Sequence, residues 1–216
     1  HKPKQILSNE EIEDKKLIEE RLSNIRGNKV KIKVPQKGVK LRLVKMARKN
    51  ADIIRHQKKK MESALIELKK YLKLERLPHV IEGYDISNIS GKFAVGSKVS
   101  FKDGKPNKKM YKHFKMETPG PNDFAMMEEL LTRRLKMVDR DPEPDLIVID
   151  GGKGQLGMAC GVLEKLNLTH IPIIGLAKEF EEIFIPNSSR PIIIPKNNQA
   201  LHLLQQVRDE SHRFAI

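Results

Sequence analysis

The chain has 216 residues, 38% hydrophobic and 32% charged, with a formal net charge of +14. That length suits one medium domain plus an extension, and no apolar run approaches the ~20 residues of a membrane span. Cys160 is the only cysteine, which excludes an internal disulfide and a thiolate zinc site and fits a reducing, cytoplasmic setting.

The charge is lopsided. Residues 1–80 carry 23 Lys+Arg against 10 Asp+Glu, whereas residues 81–216 carry 19 against 18. A basic arm beside a near-neutral body points to a polyanion such as nucleic acid. Ser8-Asn9-Glu10-Glu11 has the form of a capping box and predicts a helix to about Arg26, closed by Gly27. Val30–Val34 alternates as a strand stopped by Pro35. From Leu41 to about Leu74 the spacing predicts one long helix. Its narrow apolar seam runs through Val44, Ala47, Ala51, Ile54, Met61, Leu65, Leu68 and Leu72. On that helix Lys58, Lys59 and Lys60 are candidate phosphate contacts, although a solvated turn explains them equally well.

From His79 the pattern becomes α/β. Strands are expected at about 80–86, Ala94–Phe101 and Lys109–Met116, with a turn at Gly91 and a hairpin at Asp103-Gly104. A loop at Pro119-Gly120-Pro121 leads to Asn122 or Asp123 as the cap of a helix to about Lys136. Then follow a strand at Asp145–Asp150, a helix at Gln155–Leu166 and a strand at Ile171–Leu176. Short extended pieces lie at Ile183–Ile185 and Ile192–Ile194, and a last helix runs from about Asn198 to His212. Three meandering strands followed by alternating helices and strands form a mixed five-stranded sheet flanked by helices, the ribonuclease H-like arrangement. The expected division is a basic, mostly helical extension with one short strand over 1–78, then the ribonuclease H-like domain over 79–216.

In that arrangement the strands that carry Asp85 and Asp150 lie side by side, and the two aspartates face each other near one end of the sheet. Two carboxylates so close repel unless a cation separates them. Hard oxygen donors without a thiolate favour Mg²⁺ or Mn²⁺. The last helix ends Arg208-Asp209-Glu210-Ser211-His212 and can bring His212, with Asp209 on the same helix face, to the same end. Each residue alone has a plainer explanation: Asp-Gly suits a turn, and a helix-terminal His suits the helix dipole. Gly151-Gly152-Lys153-Gly154 lacks the spacing of a nucleotide-binding loop. Lys153 and Lys178 are candidate phosphate contacts or solvated lysines.

Five motifs carry a resemblance: Tyr84-Asp85-Ile86-Ser87, Ile149–Gln155, Gly175–Lys178, Ala200–Leu204 and Arg208–Ile216. In order and spacing the chain resembles the C-terminal half of the UvrC family, the excision-repair endonuclease subunit of bacteria. The resemblance implies a nuclease of DNA repair and the SOS response that cuts one strand of lesion-bearing double-stranded DNA on the 5′ side. Its partner would be UvrB, with UvrA acting upstream. It also implies Asp85, Asp150 and His212 as the catalytic and metal-binding set, with Asp123 as an additional required acid. The chain departs from the family at Asn88, where a His is frequent, and at Asn122, where an acid is frequent. Relative to the family it is expected to be a fragment, truncated at its C-terminal end. The rival expectations are a non-catalytic DNA-binding scaffold of the same fold and a ribonuclease H-like enzyme acting on RNA hybrids or junctions.

Overall fold

The computed structural model of the protein describes residues 3–89, 93–118, 122–137, 141–178 and 181–215. The expected turn at Gly91 and loop at Pro119-Gly120-Pro121 lie outside these residues. The chain divides into two units, residues 1–59 and 60–216.

The first unit holds β1 (Gln5–Leu7), α1 (Lys15–Arg26), β2 (Lys31–Lys33) and the first part of α2 (Gly38–Leu72). Two of its expectations need correcting. Where a helix was expected at once after Ser8, the chain first forms β1, which pairs in parallel with β2 from Gln5↔Lys31 to Leu7↔Lys33. The extension therefore has two short strands, not one. Ser8 stays outside the helix, its hydroxyl bonded to the Glu10 backbone. Helix α1 starts later, after Asp14, which has a positive φ of 54° and makes no side-chain cap. Gly27 does close the helix, in the left-handed conformation. Along α2 the seam is buried only in its last turns: Ala64, Leu65, Leu68 and Leu72 join the core of the second unit, whereas Ile54 is 60% exposed. Lys58, Lys59 and Lys60 are exposed.

The second unit continues with β3 (Val80–Ile89), β4 (Phe93–Lys102), β5 (Lys105–Pro106), a 3₁₀ turn (Lys108–Met110) and β6 (Lys112–Lys115). Then come α3 (Asp123–Leu135), β7 (Leu146–Asp150), α4 (Lys153–Lys165), β8 (Ile173–Ala177), β9 (Glu182–Phe184) and α5 (Gln199–Ala215). The sheet order is β5-β4-β3-β7-β8-β9, with β6 also on β4. The five expected strands are present as β3, β4, β6, β7 and β8. The short β5 and β9 bring the sheet to seven. Asp103-Gly104 makes the hairpin with both φ positive, 51° and 74°, as a two-residue turn of primed type requires. Parallel pairing of β3, β7 and β8 and antiparallel pairing elsewhere give the mixed ribonuclease H-like sheet.

β7 and β8 read as continuous apolar runs because helices cover both faces. On one face Ile81, Val99, Val148 and Leu176 pack against Leu201, Leu204 and Val207 of α5 and the last turns of α2. On the other, Tyr84, Ile147 and Ile149 pack against Met127, Leu130 and Leu131 of α3 and Leu156 and Ala159 of α4. Among the described residues no helix is long and apolar enough to cross a membrane.

Candidate metal centre

The parallel register of β3 and β7 runs from Ile81↔Leu146 to Tyr84↔Ile149. The next residue of each strand is an aspartate, so Asp85 and Asp150 become neighbours at the same end of the sheet. The third member comes from α5, and a glycine sets its approach. A Cβ at Gly83 would stand 2.6 Å from Val207 Cγ1 and 3.2 Å from the Val207 carbonyl oxygen, so the bare backbone of β3 lets α5 lie directly on it. Five residues further along the helix is about 7.5 Å; two residues along the strand is nearly as far. With Val207 over Gly83, His212 lies beside Asp85. Ser97 Oγ donates to the Ser211 carbonyl (2.8 Å) and ties the same turn of α5 to β4. Further along, the Phe214 ring stacks on His113 with centroids 4.0 Å apart.

One donor atom each from Asp85, Asp150 and His212 lies within 4.8 Å of the other two, and among the described residues these three form the one such cluster of three. His212 Nδ1 sits 3.1 Å from Asp85 Oδ2, and Ser87 Oγ donates to the same oxygen at 3.3 Å. Burial pushes the Asp85 carboxyl above its ordinary value; the His212 hydrogen bond pulls against that, and the Asp150 charge adds to the rise. Two carboxylates whose charges oppose each other in a partly dry site, with an imidazole beside them, fit a hard divalent cation. Zinc sites richer in His and Cys are a poorer match.

The remaining candidates fall in different places. Lys178 Nζ pairs with Asp150 Oδ2 at 3.3 Å, so it belongs to the centre. Lys153 is turned to other partners: its ammonium donates to the Ser189 carbonyl (2.6 Å) and lies 5.6 Å from the Phe184 ring centroid. Asp123 is exposed as the first residue of α3 and is not in the three-residue cluster. The cap of α3 is Asn122, whose side chain accepts from Ala125 N–H at 3.1 Å. Asp209 is also outside the cluster, because its carboxylate accepts from Arg208 Nε at 3.1 Å. Behind Gly151 the strand-to-helix turn is held to β8 by Gly151 N–H to the Leu176 carbonyl (3.1 Å), the tight turn expected of those glycines.

Sequence reasoning missed a buried ionic network on the opposite face of β3. Lys98 Nζ donates to Glu82 (3.1 Å) and Asp141 (2.9 Å), Arg134 Nη2 donates to Glu82 (3.0 Å), and Lys112 reaches Asp141 (2.8 Å). Tyr84 Oη donates to Glu82 at 2.5 Å. The available signal was Arg134 itself, three residues beyond Leu131 on the apolar stripe of α3, where a charge must be paired to be buried.

The family described as UvrC RNAse H endonuclease domain matches residues 69–216, and that described as UvrC Ribonuclease H-like domain matches residues 1–58. UvrABC system protein C of Methanosphaera stadtmanae is 52% identical over 225 residues, covering 99% of this chain and 38% of its own length. The proteins of that name from Methanothermobacter thermautotrophicus and Gloeobacter violaceus are 44% and 41% identical, each over 99% of this chain and 36% of their own. The chain thus spans less than two-fifths of the length of these relatives. Among solved structures, Ciona intestinalis Endonuclease V aligns at 15% identity with a TM-score of 0.42, covering 74% of this chain and 95% of that one.

Proposed function

This chain belongs to the UvrC ribonuclease H endonuclease domain family, and on that premise we propose that it hydrolyses DNA phosphodiester bonds with a divalent metal, making the 5′ incision near a lesion in nucleotide excision repair. The observation that carries the reading is the convergence of Asp85, Asp150 and His212 within 4.8 Å. Asp85 and Asp150 would hold Mg²⁺ or Mn²⁺, with His212 beside them. A cation bound there supplies polarisation of the scissile phosphate and neutralises the charge that builds on it in the transition state.

The protein's own groups account for the rest. Imidazole is the side-chain chemistry that moves protons near neutral pH, and His212 takes the proton of the attacking water. Asp85, bonded to His212 Nδ1, fixes its orientation and tautomer. Lys178, paired with Asp150 and 55% exposed at its side chain, adds positive charge where a phosphate enters. Asp123 acts from the first turn of α3. Lys153, committed to Ser189 and Phe184, has no support as a phosphate contact. Lys58, Lys59 and Lys60 contact the DNA backbone without base readout, so binding weakens steeply with salt. The substrate is duplex DNA with a lesion, the partner UvrB with UvrA upstream, and the setting the cytoplasm.

The decisive experiment is nicking of a lesion-bearing duplex with Mn²⁺ and the partner proteins, comparing the parent with Asp85→Ala. Loss of cutting by at least about 100-fold is expected when a metal ligand goes. Equal cutting by both sinks the proposed site; equal binding with cutting by neither favours a non-catalytic scaffold.

A further inference from the structure

Phe124 is 50% exposed, and among the described residues it is the one Phe or Tyr side chain left so open. It is the second residue of α3, between exposed Asp123 and the rest of the helix. Its ring reaches across to the first turn of α4: a Cβ at Gly154 would stand 3.2 Å from Phe124 Cε1 and 3.3 Å from Cζ. Gly154 lies inside α4 and is not among the residues of positive φ. Its backbone therefore does not call for glycine, and a glycine in a helix costs about 1 kcal/mol against alanine. What the missing side chain provides is a seat for the ring.

That seat lies in the first turn of the helix that follows the Asp150 strand. Gly154 follows Asp150 by four residues through the Gly151-Gly152 turn, and Phe124 follows Asp123 directly. The ring thus rests on one edge against the first turn of α4, just after Asp150 in the chain, with half of its surface toward solvent. Protein-docking surfaces need contiguous apolar area, whereas the chain neighbours Asn122 and Asp123 are polar and exposed. A single flat apolar surface beside a phosphate-cleaving centre suits a single flat apolar group, and a nucleobase displays one on each face.

We infer that Phe124 is a stacking platform for an unpaired base next to the cleaved strand, so that the centre prefers DNA whose stack is already opened. The inference rests on the reading of the chain as a DNA nuclease and adds a specificity-determining residue to it. A lesion that unstacks its neighbours lowers the cost of presenting that base, giving a preference for distortion without readout of any particular damage.

The test measures binding rather than cutting. Fluorescence anisotropy with EDTA present follows this chain on a labelled duplex, either fully paired or with a short unpaired bubble of the same sequence. The parent is expected to prefer the bubble. Phe124→Ala should weaken bubble binding about tenfold and leave the paired duplex unchanged. Phe124→Leu, which refills the space over Gly154 without a π face, should lose the preference as well, and Phe124→Trp should keep it. Ile193→Ala, at another exposed apolar residue, should change neither. Absence of a preference in the parent overturns the inference, as does equal weakening on both duplexes or an unaltered preference in Phe124→Leu. Nicking with Mn²⁺ is read separately: if Asp85→Ala cuts as the parent does, the nuclease reading fails whatever the bubble preference.

Discussion

Gly83 and His212 show how single residues set this centre. Gly83 carries no side chain because α5 leaves no room for one, Val207 Cγ1 lying 2.6 Å from the position a Cβ would take. Gly83→Ala is expected to destabilise the protein by about 1–3 kcal/mol, the usual cost of overpacking, seen as a lower thermal midpoint. It should also cost cutting activity, since lifting α5 moves His212 away from Asp85. His212→Ala should behave differently. The side chain is 47% exposed, so stability should stay within about 0.5 kcal/mol. The nicking rate should fall about 10²–10⁴-fold, the range for a lost acid–base group. A melting midpoint that drops with the rate would show His212 to be mainly structural. At this scale the sequence was informative where chemistry and position conflicted. Asp150 stands out because it ends an apolar run, and Asp85 because it is an acid on a core strand. The placement of Lys153 could not be read, because the Ser189 carbonyl that receives its ammonium lies 36 residues away.

Among the elements, α3 shows how local signals succeed and fail. Its start was legible because Asn122 offers the oxygen that an unbonded first-turn N–H needs, and the structure bears this out with the bond to Ala125. Asn122→Ala should cost about 1 kcal/mol in a denaturant titration, while Asn122→Asp retains the acceptor and should cost little. Equal losses would mean the cap is not what holds the helix start. The start of α1 was misread for a related reason. Ser8 has the capping residue type, but its backbone N–H donates to the carbonyl of Lys33, the last residue of β2, and a β pairing to a distant segment outweighs a local cap signal. Helix α2 was legible in extent but not in burial. Its seam has the same period throughout, yet only the turns from Ala64 to Leu72 meet a core, and periodicity reports which face is apolar, not whether anything covers it.

For the molecule as a whole, the order of strands and helices was readable because alternation of apolar runs with helical periods specifies a mixed sheet. The ionic network was not, since its members lie far apart in the chain and meet only in the folded core. That network makes a pH prediction. Burial alone would raise the Asp141 carboxyl; its bonds to Lys112 and Lys98 and the nearby Arg134 overcome that and hold it at about 2. A folded-state value below the unfolded one stabilises above the unfolded value near 3.8 and is lost as pH falls toward 2. The contribution is about 2 kcal/mol at neutral pH. Urea midpoints should therefore fall between pH 5 and pH 2.5 in the parent, and less steeply in Asp141→Asn. Parallel slopes for the two proteins would show that Asp141 does not carry the dependence.

The docking of α5 on the bare backbone of Gly83 has a consequence for timing. Asp85 and His212 are 127 residues apart, and the ribosome makes α5 after both strands that carry the aspartates. A nascent polypeptide can pair β3 with β7 and present both aspartates long before any histidine reaches them. The cluster is therefore completed in one step, when α5 leaves the exit tunnel and settles on the sheet, and a translation product interrupted before α5 carries the two aspartates without their histidine.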